Sequence, residues 1–496
     1  MRSDRRRCGY TRLIAACVAL AWTAPSIASN AQVEWSECPA VERQASAAEM
    51  RCGWLHIGER IDGAPVRIRF AVLRARPGQS DREPVIHLPG GPGESAGLNP
   101  QALARWRQWQ QRAGWPHDIV LFDPRGTGES QPPARCNSRV VPPWRNAEAT
   151  TGEGDNELTR ESARAARCRR RLGDATAAAL GPEAQLRDLN ALIDGLGLKR
   201  VNLWAVSYGT RLARLFESRH PQRVASLVLD SLVPFTENEL LAMPRQLQGA
   251  IEQLAVFCDQ PANRCASSAP AHAIEALLAR YRRSPAVLRL GNARWAGRRF
   301  EVTPYRLLLM ILFASYEPGR SADTVQRIER ALRGDAAALK ALAARLEGQA
   351  RDDDRSEPVF WSTRCALDGK QVDDVAWRDA LVQAPLVAPY VAQARQASVC
   401  DQWPVPEVEP PATAESAGTP TLVVSGTADR ITPPAWSDSY ALGRPYVKRV
   451  GVPGAAHVST LSNACAQRAV ALFLRSPKQQ TPVVSCTSAE PDQSGR

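Results

Sequence analysis

The sequence predicts an α/β fold: a mostly parallel β-sheet with helices on both faces and a helical segment inserted before the last strands. Short apolar runs alternate along the chain with segments of helical periodicity, and the runs end in glycine-rich or polar turns. This alternation is typical of parallel strands that are buried on both faces. The apolar runs are Val85–His87, Ile119–Phe122, Val201–Ala205, Leu227–Leu229 and Leu422–Val424.

Two further segments complete the expected core. Apolar residues alternate with other residues over Val66–Val72, the period-two pattern of a half-buried strand. The segment Glu183–Leu196 has the periodicity of a helix and precedes the run at Val201. In such sheets ligand sites lie at the carboxyl ends of the strands, so we look for functional residues there.

A helical insertion interrupts the alternation of strands and helices. Helical periodicity dominates from Pro234 to Pro411, and the segment closes with a proline-rich stretch. We therefore expect the first part of the core at 32–235, a cap insertion at 236–411 and the C-terminal part of the core at 412–496. Residues 1–31 have the separate pattern of an export signal, which is described below. The helices predicted within the cap insertion are Leu240–Phe257, His272–Tyr281, Tyr305–Tyr316, Ala322–Arg333 and Ala336–Leu346.

Composition excludes several classes of protein. The 496 residues are 44% hydrophobic and 23% charged, which is a globular composition and excludes a disordered or fibrous chain. The net charge is +12, and arginine supplies almost all of the positive charge. The arginines are scattered along the sequence instead of clustering beside aromatic residues, so we expect no nucleic-acid partner.

The N-terminus has the layout of a secretory signal peptide. A basic stretch ending at Arg12 precedes the apolar run Leu13–Trp22, and small residues follow to Ala31. The run is shorter than the ~20 apolar residues that a membrane-spanning helix needs. We expect export to the periplasm or the medium, no stable membrane insertion, and a monomer.

Cysteine usage agrees with an oxidising compartment. Ten cysteines follow the signal, an even number, and they fall into neighbours along the chain. Five local bridges are the preferred pairing, although sequence alone leaves the connectivity open. No CxxC or Cys/His cluster has the spacing of metal ligands, so we expect no metal and no other cofactor. The pairs are Cys38 with Cys52, Cys136 with Cys168, Cys258 with Cys265, Cys365 with Cys400, and Cys465 with Cys486.

Ser207 lies in the pattern of a nucleophile elbow. The strand Val201–Ala205 leads through Val206 to Ser207, then Tyr208 and Gly209, and a helical pattern follows. The turn from strand to helix is so tight that the positions two before and two after the serine must be small, which exposes its hydroxyl at the tip. Ala205 stands where glycine is usual. A surface serine in an ordinary turn is the alternative interpretation.

A serine nucleophile needs a base and an orienting acid, in the chain order Ser, acid, His. Of six histidines only His457 lies in the final part of the chain, in a loop after a predicted strand near Tyr446–Val450. Asp429 follows the strand Leu422–Val424 at the same edge of the sheet. An Asx turn is the alternative role for Asp429, but the order and settings of the three residues together favour a catalytic triad.

Backbone N–H groups that stabilise an oxyanion are the remaining requirement of acyl transfer. Tyr208, directly after the nucleophile, is expected to supply one of them. Pro89–Gly93 is a glycine-rich loop after a buried strand, and we expect Gly91 to supply the other. An ordinary glycine–proline turn is the alternative for this loop.

These motifs carry a family resemblance. Pro89–Ser95, the run Phe122–Ser130 and the Ser207 elbow resemble the α/β-hydrolase family of prolyl and tripeptidyl aminopeptidases. The chain is most similar to its secreted bacterial tripeptidyl-aminopeptidase-like branch, which has a disulfide-bearing helical cap and a distinctive C-terminal segment. The resemblance implies Ser207 as nucleophile, Asp429 and His457 as its partners, and Gly91 and Tyr208 as oxyanion donors. Arg125 is expected to be structural.

The expected activity is that of an exported serine aminopeptidase, which cleaves a peptide near its free N-terminus through an acyl-enzyme. Glu237 and Glu239 are candidates for binding the substrate amine, although carboxylates in the first turn of a helix also stabilise its dipole. A carboxylesterase with the same triad is the alternative, and a non-catalytic binding protein is a third. Because the base must be neutral, activity should fall below about pH 6.5.

Overall fold

The computed structural model describes residues 31–39, 50–75, 82–136, 157–260, 263, 265, 270–290, 298–317, 319–349, 355–369, 372–392, 394–395, 398–411, 418–479 and 485–486. Residues 1–30 of the predicted export signal lie outside these ranges. No helix within them is both long and apolar enough to cross a membrane.

A nine-stranded sheet organises the described chain, in the order β1-β2-β3-β5-β4-β6-β7-β10-β11. The pairs β1/β2, β2/β3 and β3/β5 are antiparallel, and all pairs from β5 to β11 are parallel. The mostly parallel sheet predicted from the sequence is confirmed. The strands, including a separate hairpin β8/β9, are β1 Gln32–Ser36, β2 Met50–Ile61, β3 Ala64–Leu73, β4 Val85–Leu88, β5 Ile119–Phe122, β6 Val201–Val206, β7 Val224–Asp230, β8 Ala286–Leu290, β9 Arg298–Val302, β10 Thr421–Gly426 and β11 Val447–Val452.

Helices cover both faces of the sheet. Along β6, Leu203 and Ala205 contribute to one buried cluster, and Trp204 and Val206 contribute to a second. The first cluster also contains apolar residues of α4 and α5, and the second contains residues of α1 and α17. These helices are α1 Pro100–Ala113, α4 Pro182–Gly195, α5 Gly209–Arg219 and α17 Ala464–Arg475. Because both faces are buried, every residue of β4, β5 and β6 is buried, as their continuous apolar runs predict.

The segment between β7 and β10 is mainly helical. Its buried residues form a cluster of their own, which includes Leu247, Ile274, Leu308 and Ile328. Proline at the first position and a capping Thr303 mark the start of one of its helices, Pro304–Ala314. The helices are α6 Glu239–Cys258, α7 Pro270–Arg283, α8 Pro304–Ala314, α9 Ser321–Leu332, α10 Lys340–Gln349, α11 Glu357–Asp368, α12 Asp374–Val382, α13 Ala388–Val391 and α14 Ser398–Asp401.

Some elements were not foreseen. The antiparallel strands β1 and β2 extend the sheet at one edge, and β8/β9 form a hairpin inside the helical segment. The predicted helix Ala336–Leu346 is a 3₁₀ turn at Ala336–Leu339 followed by α10. Short elements of this kind gain their stability from packing against the rest of the fold, so periodicity alone does not reveal them. The remaining helices are α2 Glu157–Leu172, α3 Asp174–Ala179, α15 Pro434–Ala441 and α16 Ser459–Ser462.

Five disulfide bonds cross-link the described chain, and each joins two cysteines that follow one another in the order of cysteines along the sequence. The Cα atoms of each pair lie 4.9 to 5.8 Å apart, within the usual range. The bridges are Cys38–Cys52, Cys136–Cys168, Cys258–Cys265, Cys365–Cys400 and Cys465–Cys486.

Arg125 lies in a buried ion pair beneath the sheet edge. Its Nε donates to Asp188 Oδ2 at 2.6 Å, and its Nη1 donates to Glu59 and to the carbonyl oxygen of Ala179, each at 3.0 Å. Neither the guanidinium nor the Asp188 carboxylate is more than 2% exposed. These contacts are structural, as the sequence analysis expects.

We expect Arg125→Met to lower the free energy of unfolding by about 3–5 kcal/mol, because the substitution leaves the Asp188 carboxylate buried without its cation. The measurement is denaturant unfolding with the disulfides intact. Arg187→Met is the matched control: this side chain is 60% exposed and its Nε lies 3.6 Å from Glu59, so its loss should cost at most about 1 kcal/mol. Equal midpoints for the two variants would contradict the prediction.

Candidate active site

Ser207 occupies a strained turn between β6 and α5. Its φ is +52°, a left-handed conformation that residues other than glycine rarely adopt. Position 209, two residues after the serine, accepts only glycine, because a Cβ there would lie 2.5 Å from the carbonyl oxygen of Pro89. Ala205, two positions before, is fully buried. The local geometry is that of a nucleophile elbow, as the sequence pattern predicts.

The structure brings Ser207, His457 and Asp429 together in one hydrogen-bonded chain. Ser207 Oγ lies 2.8 Å from His457 Nε2, and His457 Nδ1 lies 2.8 Å from Asp429 Oδ2. Ser207 follows β6, Asp429 follows β10 and His457 follows β11, so all three lie at the carboxyl edge of the parallel strands. The order and spacing of these groups are those that serine acyl transfer requires.

Burial and hydrogen bonds set the protonation states of His457 and Asp429. The side chain of His457 is 5% exposed and that of Asp429 is fully buried. Burial by itself would lower the pKa of His457, but the carboxylates of Asp429, Asp230 and Glu94 together outweigh it and raise that pKa above 6.5. For Asp429, burial favours the neutral acid, but His457 and hydrogen bonds from Thr432 hold its pKa below the ordinary value. Asp429 is therefore ionised at neutral pH and can orient the imidazole.

The glycine-rich loop borders the nucleophile. A Cβ on Gly90 would lie 3.1 Å from Ser207 Cβ, and Gly91 has a φ of +108°, which favours glycine. Within the described residues, the N–H groups of Gly91 and Tyr208 donate to no acceptor of the protein. Two N–H groups that are unsatisfied beside a nucleophile are suited to stabilise an oxyanion.

A second buried carboxylate, Asp230 at the end of β7, holds the loop that carries His457. It accepts hydrogen bonds from Thr460 Oγ1 at 2.6 Å, from Thr460 N at 2.7 Å and from Ser459 N at 3.2 Å. The adjacent Ser231 donates to Asp429 Oδ2 at 2.9 Å and accepts from Val458 N at 2.8 Å. Asp230 and Ser231 thus connect Asp429 to the loop that carries His457 through hydrogen bonds. The sequence signal was present, because both residues directly follow the predicted strand Leu227–Leu229.

The two glutamates proposed for amine binding have different surroundings. Glu237 Oε2 accepts from Arg245 at 2.7 Å, and its side chain is 27% exposed. Glu239 begins α6, is buried, and accepts from Arg364 Nη2 at 3.1 Å. The charge of Glu239 helps to raise the pKa values of the Tyr208 and Tyr316 phenols.

Tyr316, a residue of the segment between β7 and β10, contacts the catalytic histidine. It follows α8, and its ring meets the His457 imidazole edge to face, with the centroids 5.0 Å apart. Burial, together with the charge of Glu94, raises the pKa of its phenol far above 10. Sequence reasoning did not single out Tyr316, since helical periodicity does not show which residue at the end of a helix reaches a distant loop.

Comparison with known proteins places the chain in a family. The family model described as the alpha/beta hydrolase fold matches residues 83–464. The serine protease Hip1 of Mycobacterium tuberculosis (strain H37Rv) is 26% identical over 81% of this chain and 80% of the relative. The tripeptidyl aminopeptidase of Streptomyces lividans is 28% identical over 42% of this chain and 39% of the relative, and the YuaR protein of Escherichia coli (strain K12) is 26% identical over 46% and 48%. The chain thus spans about half or less of the length of these last two relatives.

The family match covers strands β4–β7, the segment that follows them and strands β10 and β11, including the three strand ends that carry Ser207, Asp429 and His457. The topology and the elbow geometry agree with it. The chain belongs to the α/β-hydrolase fold family.

Proposed function

We propose that this chain is an exported serine hydrolase that cleaves peptides near a free N-terminus, as an aminopeptidase of the tripeptidyl or prolyl type. The observation that carries the proposal is the hydrogen-bonded chain from Asp429 through His457 to Ser207, with both contacts at 2.8 Å. The names of two relatives, a serine protease and a tripeptidyl aminopeptidase, support a peptide substrate. Five disulfides support an oxidising compartment outside the cytosol.

In the proposed mechanism Ser207 Oγ attacks the scissile carbonyl carbon while its proton passes to His457 Nε2. The N–H groups of Gly91 and Tyr208 stabilise the oxyanion, and Asp429 stabilises the imidazolium. The C–N bond then breaks, and His457 gives the proton to the leaving amine. Water attacks the resulting ester, His457 takes a proton from the water, and that proton returns to Ser207 Oγ as the acid product leaves.

Within this mechanism Glu239 is the carboxylate assigned to the substrate amine. It is buried, its charge reaches Tyr208 and Tyr316, and both of these residues border the triad. Glu237 is held at a more exposed position by Arg245. Because Arg364 already neutralises Glu239, a bound ammonium group would share this carboxylate with the guanidinium.

The experiment that tests the proposal compares matched free-amine and N-acetylated chromogenic peptides with a p-nitrophenyl ester, using Ser207→Ala as the inactive control. We expect cleavage of the free-amine peptides and little cleavage of the acetylated ones, because acetylation removes the charge that the amine site binds. Cleavage of the ester and of neither peptide would replace the peptidase with an esterase that uses the same triad. Failure of a fluorophosphonate to label Ser207 would leave only a binding role.

Glu239→Gln should lower kcat/KM for free-amine peptides by about tenfold or more, since a charged hydrogen bond to the amine contributes ~1.5–3 kcal/mol. The ester, which has no amine, should be cleaved at a rate close to that of the unmodified enzyme. Glu237→Gln is the matched control and should change neither substrate. Equal losses on ester and peptide in Glu239→Gln would instead assign this residue a structural role with Arg364.

The pH dependence follows from the environment of His457. Only the neutral imidazole can accept the proton from Ser207, so kcat/KM falls as the pH drops through the pKa of His457. The carboxylates of Asp429, Asp230 and Glu94 all favour the imidazolium and oppose the effect of burial. We therefore expect the acidic limb of the profile to have its midpoint above pH 6.5. A midpoint below 6 in the kcat/KM profile of a p-nitroanilide would contradict this charge balance.

A further inference from the structure

A solvent-open cleft lies next to the catalytic centre. Its volume is about 390 Å³, within the range of small-ligand sites. One wall is the stretch that follows the glycine-rich loop, from Glu94 to Gly97, and the other is one face of α1. Leu461, four residues after His457, also lines the cleft. None of the described residues between β7 and β10 lines it.

Glu94 brings the lining of the cleft close to the nucleophile. A methyl group placed on Gly90 would lie 3.1 Å from Ser207 Cβ and 3.6 Å from Glu94 Oε2, so Ser207 and the cleft residue Glu94 flank the same glycine. The charge of Glu94 also acts on His457, the group that protonates the leaving amine. The cleft therefore borders the catalytic centre through Glu94.

The floor of the cleft is rigid and aromatic. Trp106 donates from its indole N–H to the carbonyl oxygen of Ala96 at 2.8 Å, and its ring meets that of Trp109 edge to face at 5.6 Å. Trp109 in turn stacks at 4.8 Å on Trp204 of β6, which lies three residues before Ser207. A fixed aromatic surface of this kind can support an extended peptide.

Two cations line the cleft. Arg105 and Arg112 both belong to α1, two turns apart, and both side chains are exposed. Among the described residues neither guanidinium makes a hydrogen bond or an ion pair. Glu94 is the one acidic side chain among the described lining residues, so these residues carry more positive than negative charge. Arginine pairs well with carboxylates.

We propose that this cleft binds the part of a peptide that lies C-terminal to the scissile bond, and that Arg105 and Arg112 favour a carboxylate there. The inference rests on the proposed peptidase function. An enzyme that works from the N-terminus encloses the acyl part of its substrate, and the rest of the chain needs an open route out. The carboxylate comes either from the C-terminus of a short peptide or from an acidic side chain of a longer one.

The test varies only the leaving side. The best acyl group found with p-nitroanilides is joined to three extensions: a neutral amidated tripeptide, the same tripeptide with a free carboxylate, and an amidated tripeptide that contains aspartate. We expect kcat/KM for the two acidic substrates to exceed that of the neutral one by about five- to tenfold at low salt. Arg105→Gln/Arg112→Gln should abolish this preference and leave the p-nitroanilide rate unchanged. The two acidic arms distinguish a terminal carboxylate from a side chain.

Lys199→Gln is the control, because it removes an exposed positive charge two residues before the start of β6, at the opposite edge of the sheet. It should leave the preference intact. If the unmodified enzyme cleaves the p-nitroanilide but ignores the leaving-side charge, the cleft assignment is wrong and the peptidase stands. If the unmodified enzyme cleaves no peptide or anilide at all, the peptidase assignment is wrong. The cleft assignment, which rests on it, is then wrong as well.

Discussion

Ser207→Ala is expected to lower kcat for peptide substrates by about 10⁴-fold or more, the largest effect of any substitution considered. The alanine cannot form an acyl-enzyme, and His457 then has no hydroxyl within 2.8 Å to deprotonate. Any residual rate would come from water activated in the same site and from the N–H groups of Gly91 and Tyr208. The measurement is single-turnover and steady-state hydrolysis of a free-amine p-nitroanilide, together with labelling by a fluorophosphonate.

The matched control is Ser218→Ala on α5, a part-buried serine whose hydroxyl donates to the carbonyl oxygen of Leu215 at 3.0 Å. It should keep both activity and labelling. His457→Ala should cost nearly as much as Ser207→Ala, and the double variant should be no worse than either single one, since the two residues act as a unit. Additive losses would show that Ser207 and His457 do not work together and would contradict the triad.

The candidate triad could be found from the sequence because its members follow recognisable strands. Ser207 and Asp429 each lie within a few residues of a continuous apolar run, and His457 follows the predicted strand near Tyr446–Val450. Parallel strands bring their carboxyl ends to one edge, so placing the strands also places these side chains. The same logic extends to Asp230 and Ser231, which the sequence analysis passed over.

Contacts between distant segments could not be found in this way. Tyr316 meets His457 across 141 positions of sequence, and Arg364 pairs with Glu239 across 125. Periodicity shows that a helix has a buried face but does not identify the partner of that face. The hairpin β8/β9 was missed for a related reason, since two five-residue strands depend on the surrounding helices for stability.

Replacing the buried carboxylates of Asp429 and Asp230 by neutral amides should have effects of different size on kcat. Asp429→Asn is expected to lower kcat by about 10⁴-fold, because an amide can hold the imidazole in the wrong tautomer and cannot stabilise the imidazolium. Asp230→Asn should cost far less, about 10- to 100-fold, since this carboxylate holds the loop of His457 through Thr460 and Ser459 and does not contact the ring.

The pH profile separates the role of Asp230 from simple destabilisation. The negative charge of Asp230 favours the imidazolium, so its removal should lower the pKa of His457 and move the acidic limb of kcat/KM to lower pH. The pKa of Asp230 itself is raised to about 6 by burial, against the hydrogen bonds from Thr460, so it carries its charge across most of the limb. Asp438→Asn, at an exposed carboxylate, is the control and should leave the limb in place. A limb that stays fixed in Asp230→Asn while kcat falls would mean that Asp230 acts only by holding the loop, and that Asp429 sets the basicity of the histidine with no contribution from its neighbour.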